Sequence, residues 1–159
     1  LAAGATLAQA AQGLHDLAPV AGRLCPLPGV NGARLIDDSY NANPDSVIAA
    51  LRVLGSAPGR RTLVLGDLAE LGDDAEALHR QLGVQAAKFG VDRLLTVGVL
   101  SAHTGQAFDG EHHHYPDRAS LVDVLMADLS EDDSILIKGS RSSKMDQLVA
   151  GLRLEGAAC

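Results

Sequence analysis

The sequence predicts an α/β fold: a doubly wound, mainly parallel sheet of about five to six strands with helices on both faces. Three observations predict it. From residue 33 onward, short apolar runs alternate with helical patterns. Runs such as "TLVLG" (62 to 66) and "SILIKG" (134 to 139) are almost wholly apolar, as strands covered on both faces should be. The intervening helices also have recognisable starts and stops.

In chain order, Thr6 and Gln9 match a capping box ahead of a stripe of Leu7, Ala10, Ala11 and Leu14. The stretch "LAPVAGRLCPLPGVNG" (17 to 32) holds three prolines and three glycines and reads as a connector. Strands are predicted over 33–37, 61–66, 92–98, 111–115 and 133–138, and helices over 44–55, 73–89, 101–108, 117–129 and 142–154. Asn43 is placed to cap the 44–55 helix, with Pro44 at its first position and Val47, Ile48, Leu51 and Leu54 on one face. Asp73 or Asp74 can cap the next helix, which Gly90 ends. Asp117 caps the helix carrying Leu121, Val122, Val124 and Leu125. No internal repeat or low-complexity segment interrupts this order.

Composition narrows the functional classes. A chain of 159 residues suits one domain, able to bury roughly 68–70 % of its unfolded surface. Apolar residues at 47 % argue against disorder, and 3 % aromatics without Trp imply a core of Leu, Val, Ile and Ala. A net charge of −7 argues against a broad nucleic-acid footprint. A local basic cluster can still grip one phosphate. Cys25 and Cys159 are spaced for neither a disulfide framework nor a metal site, so a reducing cytoplasm fits. No apolar run has the length of a membrane span, and the N-terminus lacks the pattern of a signal peptide. The chain begins with Leu, which suggests a piece of a longer protein.

Doubly wound sheets bind ligands beyond the carboxyl ends of their strands. Three polar clusters fall there: "DDSYNANP" (37 to 44), "GDLAELGDD" (66 to 74) and "KGSRSSK" (138 to 144). Adjacent Asp37 and Asp38 point to opposite faces of a strand, so one of them can face a ligand, through a ribose hydroxyl or a hydrated Mg²⁺. The same residues serve equally to cap a helix and shape its turn. "KGSR" sets a cation, a glycine, a hydroxyl and a guanidinium before a predicted helix N-terminus, which suits an anion. A solvated basic turn is the plain alternative there. Lys144 reads as an exposed helix residue, and Glu70 as a surface loop unless the clusters converge on it. "HHH" (112 to 114) cannot aim at one ion from a strand. His15, His79 and His103 are isolated and read as structural or exposed. Neither G-x-x-x-x-G-K-[ST] nor G-x-G-x-x-G occurs. If a nucleotide is used, its phosphate cradle must come from elsewhere.

"LIDDSYNANPDS" (35 to 46), "VLGDLAELG" (64 to 72) and "ILIKGSRSSKMDQLV" (135 to 149) resemble the C-terminal domain of the Mur ligases, and "PVAGRL" (19 to 24) resembles the start of that domain. The resemblance runs in order along nearly the whole chain and implies a Rossmann-like fold. Within the family, the turn is most similar to members that join D-alanyl-D-alanine to UDP-N-acetylmuramoyl-tripeptide, using ATP and Mg²⁺ to activate the tripeptide carboxylate as an acyl phosphate. It implies that residues 1–17 are the tail helix of a preceding central ATPase domain, 18–32 a linker and 33–159 the C-terminal domain. Its partners would be those two substrates and the N-terminal and central domains of the same chain, in a cytoplasmic monomer that engages neither nucleic acid nor membrane. The piece alone would then be inactive. By the same resemblance Arg23, Asp38, Tyr40, Asn41 and Asn43 would contact ATP, with Arg23 on a phosphate and Asp38 on the ribose. Ser140, Arg141 and Ser142 would meet the incoming dipeptide, and Lys138 is the candidate catalytic residue near the transferred phosphate. Val47, "LGDLAELG", Ser142, Ser143 and Asp146 depart from the usual family pattern.

Two other readings stay open. A sister amide ligase such as folylpolyglutamate synthase would carry an Asp-Gly-Ala-His-Asn-Pro turn, where this chain has Tyr40 and Asn41. A non-enzymatic receiver-like module would use acidic residues after its strands and a late lysine, which Asp37, Asp38, Asp67 and Lys138 loosely imitate. It has no place for the "SYNANP" turn.

Overall fold

The computed structural model describes residues 4–15 and 19–159, with the backbone alone at 14 and 15. Its elements are α1 (Leu7–His15), β1 (Cys25–Pro28), β2 (Arg34–Asp38), α2 (Pro44–Gly55), β3 (Arg60–Gly66), α3 (Ala75–Lys88), β4 (Arg93–Val97), α4 (Ser101–Gln106), β5 (Glu111–Tyr115), α5 (Arg118–Asp128), β6 (Asp133–Lys138) and α6 (Asp146–Leu152). The strands form one sheet in the order β1-β2-β6-β3-β4-β5. All its pairs are parallel except β1 with β2. This is the doubly wound sheet that the alternation of elements predicts.

Consecutive strand side chains point to opposite faces, so an apolar run feeds two cores at once. Leu63 and Leu65 pack with Val47, Leu51 and Leu54 of α2 and Leu82 of α3. Val64, between them, packs on the other face with Leu121 and Leu125 of α5 and Leu148 and Leu152 of α6. Strand β6 divides likewise, Leu136 to the first core and Ile135 and Ile137 to the second. Each fully buried Leu or Ile contributes roughly 1.5–3 kcal/mol relative to exposure, which is why the central strands tolerate almost no polar residue.

Most element ends follow local chemistry. Thr6 and Gln9 close their capping box, with Gln9 N donating to Thr6 Oγ1 and Thr6 N to Gln9 Oε1. Asn43 Oδ1 accepts from Ser46 N at 2.8 Å, and Ser46 Oγ accepts from Asn43 N at 3.0 Å. Asp117 caps α5 through Ser120 N, and that hydrogen bond holds its carboxyl below the ordinary value. His79 is buried, taking the Leu68 N–H on Nε2 while Nδ1 lies 2.7 Å from Ala75 O, which marks it as structural. The edge-strand histidines engage three separate partners: His112 with Gly110 O, His113 with Glu111 and His114 with Thr96.

Four expectations are corrected. Asp74 occupies the N-cap position of α3 without a side-chain cap bond, because residues Gly72–Asp74 form a 3₁₀ turn. The last helix begins at Asp146 rather than 142; Arg141–Ser143 is a 3₁₀ turn, and Lys144 is left-handed at φ 49° instead of helical. The connector contains β1, whose Pro26 and Pro28 are tolerated because it is an edge strand pairing on one side only. Cys25 and Cys159 are disulfide-bonded, with Cα atoms 5.9 Å apart. Their separation in sequence hides the return of the C-terminal tail along β1, through Leu154 N to Pro28 O and a bridge between Gly29 and Arg153.

The amino ends of the strands are held by charge. Arg60 Nε donates to Asp133 Oδ1 at 2.6 Å across the β3–β6 register, and Arg60 and Arg93 both pair with Asp128. Burial pushes the Asp133 carboxyl up, but Arg60 and the Ser130 hydroxyl and N–H outweigh it and leave it below the ordinary value of 3.8. A depressed carboxylate stabilises the fold above its unfolded pKa, and that contribution is lost as pH falls through the lower folded value. Replacing Asp133 by Asn should therefore cost about 1.5 kcal/mol at neutral pH, the low end for a charged hydrogen bond because Arg60 keeps Asp128 and water. Urea unfolding should show the gap from wild type narrowing as the pH falls below the ordinary carboxylate value of 3.8 toward the lower folded one. A gap independent of pH would remove the ion pair from the account.

Candidate functional site

Strand β6 lies between β2 and β3. The chain leaves β2 and β3 toward α2 and α3 on one face, and leaves β6 toward α6 on the other. Loops that part in this way open a crevice at the carboxyl ends of the strands. The segments 20–24, 37–43 and 138–143 meet there.

Both aspartates that end β2 are spent on holding this junction. Asp37 accepts from Ser39 N and Oγ on Oδ1 and from Gly22 N at 2.9 Å on Oδ2. Asp38 accepts from Leu24 N at 3.1 Å on Oδ1 and from Lys138 Nζ at 2.6 Å on Oδ2. Alternation along the strand sends them to different partners, and both still reach the 22–24 turn, which crosses the strand end. Gly22 is required at this crossing. It sits at φ +74°, and an added Cβ would lie 2.9 Å from Tyr40 Cβ. Tyr40 N in turn donates to Gly22 O at 3.0 Å.

Lys138 is 2 % exposed. Its ammonium also donates to Asn41 O at 3.0 Å, so it is an internal brace between β6 and the turn after β2. Asn41 Oδ1 accepts from Arg141 N at 3.3 Å, tying the same turn to the loop after β6. Ser140 is equally internal: its N–H and Oγ both donate to Asp67 O, joined by Ser143 Oγ at 2.7 Å. The Asp67 carboxylate receives Val99 N and Ser101 N. Asp67 thus gathers the ends of β3, β4 and β6, a role its sequence position after an apolar strand signals only as "polar". Gly139 lets this loop pack closely, since a Cβ there would meet Met145 Cγ at 2.7 Å.

What these braces leave open is cationic. The guanidinium of Arg23 lies 4.4 Å, and that of Arg141 5.2 Å, from the ring centroid of Tyr40. Tyr40 is 44 % exposed. A cleft of about 530 Å³ opens beside them, lined by Asn41, Asn43, Glu70, Ser140, Arg141 and Ser142. A second of about 220 Å³ is lined by Arg23, Asp38, Tyr40, Asn41 and Lys138. All the residues singled out from sequence therefore gather at one end of the sheet. Arg23, Tyr40, Asn41, Arg141 and Ser142 are open to solvent, and Asp38, Lys138 and Ser140 lie beneath them. Asn43 lines the larger cleft while its Oδ1 caps α2. Glu70, read as a loop residue, joins that lining. Because the seven-residue α6 starts beyond Lys144, Arg141 opens a 3₁₀ turn and gains nothing from an α-helix N-terminus. Among the described residues, no group of three or more His, Cys, Asp or Glu could hold a metal ion.

A doubly wound sheet with exposed guanidiniums at its switch point has the architecture in which α/β domains receive ligands. Comparison with known proteins narrows that class. Residues 22–141 match the family described as Mur ligase, glutamate ligase domain. The chain is 42 % identical to the UDP-N-acetylmuramoyl-tripeptide–D-alanyl-D-alanine ligase of Escherichia coli (strain K12), over 98 % of this chain and 35 % of that protein. A crystal structure of MurF from Acinetobacter baumannii superimposes with a TM-score of 0.80 at 31 % identity, covering 94 % of this chain and 33 % of that one. A MurF ligase from Thermotoga maritima, crystallised with ADP, does so with a TM-score of 0.76 at 22 % identity, over 86 % and 31 %. The chain belongs to the Mur ligase family and spans about a third of the length of these relatives.

Removing the ammonium at Lys138 should leave Asp38 buried without its partner. Lys138→Met is expected to cost about 3–5 kcal/mol, read by urea unfolding, and Lys138→Met with Asp38→Asn should recover part of the loss. A single variant within experimental error of wild type would show that the pair does not brace the junction.

Proposed function

We propose that this chain is the C-terminal, substrate- and nucleotide-contacting domain of an ATP-dependent ligase that joins D-alanyl-D-alanine to UDP-N-acetylmuramoyl-tripeptide. The observation that carries the reading is the convergence of Arg23 and Arg141 on Tyr40 beside the larger cleft. Among the described residues, neither guanidinium pairs with a carboxylate. Asp37, Asp38 and Asp67 are quenched by N–H, hydroxyl or ammonium donors. A chain of net charge −7 thus presents a locally positive end to its ligands. That suits two anionic reactants, a nucleoside triphosphate and a dipeptide carboxylate.

Arg141 offers a planar fork that can hold the dipeptide carboxylate through two parallel hydrogen bonds. Ser142 beside it is exposed, and its Oγ, 3.0 Å from Ser140 Oγ, would accept a hydrogen bond from the bound dipeptide. Arg23 would meet a nucleotide phosphate. Asp38 lines the smaller cleft with Tyr40 and Asn41, and a ribose hydroxyl would add a further donor to a carboxylate already held by Leu24 N and Lys138. Lys138 is spent on Asp38 and Asn41, so its part is to hold the turn in register rather than to touch the transferred phosphate. Asn43 and Ser140 likewise support the cleft from within.

ATP, when bound, supplies the phosphoryl group that activates the tripeptide carboxylate. The guanidiniums fit its phosphates, whereas among the described residues no group of three or more His, Cys, Asp or Glu gathers to hold Mg²⁺. With no glycine-rich phosphate loop in the sequence, the cradle would come from the central domain of a longer chain, whose tail helix residues 1–17 would form. The N-terminal domain of that chain would hold the UDP-sugar. The reading places a monomeric enzyme in the cytoplasm. Among the described residues, no helix is long and apolar enough to cross a membrane.

The test is steady-state kinetics of Arg141→Ala in the full-length protein. Loss of a charge-assisted bond of roughly 1.5–3 kcal/mol should raise the KM for D-alanyl-D-alanine about 10–150-fold and leave that for ATP nearly unchanged. A rise for ATP alone would exchange the roles of the two arginines. The 159-residue chain by itself should release no phosphate when given ATP, tripeptide precursor and dipeptide. Turnover by the isolated chain would overturn the reading.

A further inference from the structure

The geometry points to Tyr40 as a positioning residue that sets both substrate arginines at once, an inference that rests on the proposed roles of Arg23 and Arg141. The two arginines come from segments far apart in sequence, one before β1 and one after β6. Among the described residues no direct bond joins the two; what they share is the ring of Tyr40, at 4.4 Å and 5.2 Å. The backbone that carries the ring is itself fixed. Tyr40 N donates to Gly22 O, next to Arg23, and the carboxamide oxygen of the next residue, Asn41, accepts from Arg141 N. Backbone and side chain of the Tyr40–Asn41 pair therefore hold the two loops in register, while the ring face holds their guanidiniums.

A flexible guanidinium loses rotamer freedom when it grips an anion, and part of that loss is already met if the side chain rests on an aromatic face. Cation–π contact supplies the attraction, and the ring leaves all five N–H donors of each guanidinium free for ligands. A carboxylate partner would instead occupy those donors and oppose an anionic substrate. A tyrosine suits this position because it orders two cations without neutralising them. Its own hydroxyl makes no hydrogen bond with a described residue and is not needed for this role.

This role differs from simple binding in what it predicts. Arg23→Ala and Arg141→Ala should each raise one KM, for ATP and for D-alanyl-D-alanine respectively. Tyr40→Leu, which keeps bulk and removes the π face, should raise both, each by about 2–5-fold, the equivalent of about 0.5–1 kcal/mol per contact. Tyr40→Phe keeps the face and should restore both KM values to those of wild type. In the Arg141→Ala background, adding Tyr40→Leu should raise the KM for ATP again but leave that for the dipeptide where Arg141→Ala put it, because the interaction has already gone. These measurements use the full-length protein, with thermal unfolding of each variant as the folding control.

Three results would overturn the inference. They are a shift of one KM alone in Tyr40→Leu, as much harm from Tyr40→Phe as from Tyr40→Leu, and additive effects on the dipeptide KM in the double variant. Any of them, with the arginine variants behaving as assigned, removes Tyr40 from this role and leaves the proposed function standing. If neither arginine variant moves its KM, the proposed roles fall and the coupling falls with them.

Discussion

An ammonium group buried at the end of a parallel strand must find a carboxylate, and the junction at the carboxyl end of this sheet is built around meeting that demand. Lys138 has Asp38 Oδ2 at 2.6 Å and the Asn41 carbonyl at 3.0 Å. The other oxygen of Asp38 then takes Leu24 N. One buried pair thus fixes the spacing of β2 and β6, the path of the turn after β2 and the position of the segment that precedes β1. Such pairs seldom add stability over a well-packed apolar substitute, because desolvation offsets most of the attraction. Here the pair supplies register. A methionine at 138 could fill the space, but it could not choose which oxygen of which loop to bind.

The same division of labour runs through the site. Charges with fixed partners lie inside and define shape; charges without them lie outside and define chemistry. Asp37, Asp38 and Asp67 are all consumed by the scaffold. Among the described residues, Arg23 and Arg141 have no carboxylate partner and lie against the exposed ring of Tyr40. At the amino ends of the strands, where no ligand is proposed, Arg60 and Arg93 are instead paired with Asp133 and Asp128. The two ends of one sheet therefore use the same residue types to opposite purposes.

Much of this was legible in the sequence because it is local. The apolar run at 62–66 could only be a strand covered on both faces, and Asn43-Pro44 could only open a helix; the structure agrees at both. The clustering of polar strand ends at one crevice followed from the topology. What escaped is non-local. Pro26 and Pro28 spoke against a strand, and only the edge position of β1 makes them admissible. Ser142 and Ser143 looked like a helix start, but Oγ of Ser143 bonds Asp67 O from another strand end and keeps the chain in a tighter turn. The sequence named Lys138, Ser140 and Arg141 together, and nothing in their spacing says that the first two face inward and the third outward. Burial of a polar side chain depends on partners such as Asp67 and Asp38, which lie 73 and 100 positions away.

The bond between Cys25 and Cys159 gives the molecule a topology as well as a contact. When it is closed, residues 25 to 159 form a covalent ring that contains the whole sheet, and everything before Cys25 is an arm attached to it covalently at a single point. Arg23 belongs to the arm, two residues outside the ring, whereas Tyr40 and Arg141 belong to the ring. The hydrogen bonds of Gly22 and Leu24 to Asp37 and Asp38, and of Tyr40 to Gly22, fasten the last residues of the arm to the ring and put the pivot before Gly22. Arg23 therefore stays beside Tyr40 whichever way the rest of the arm turns.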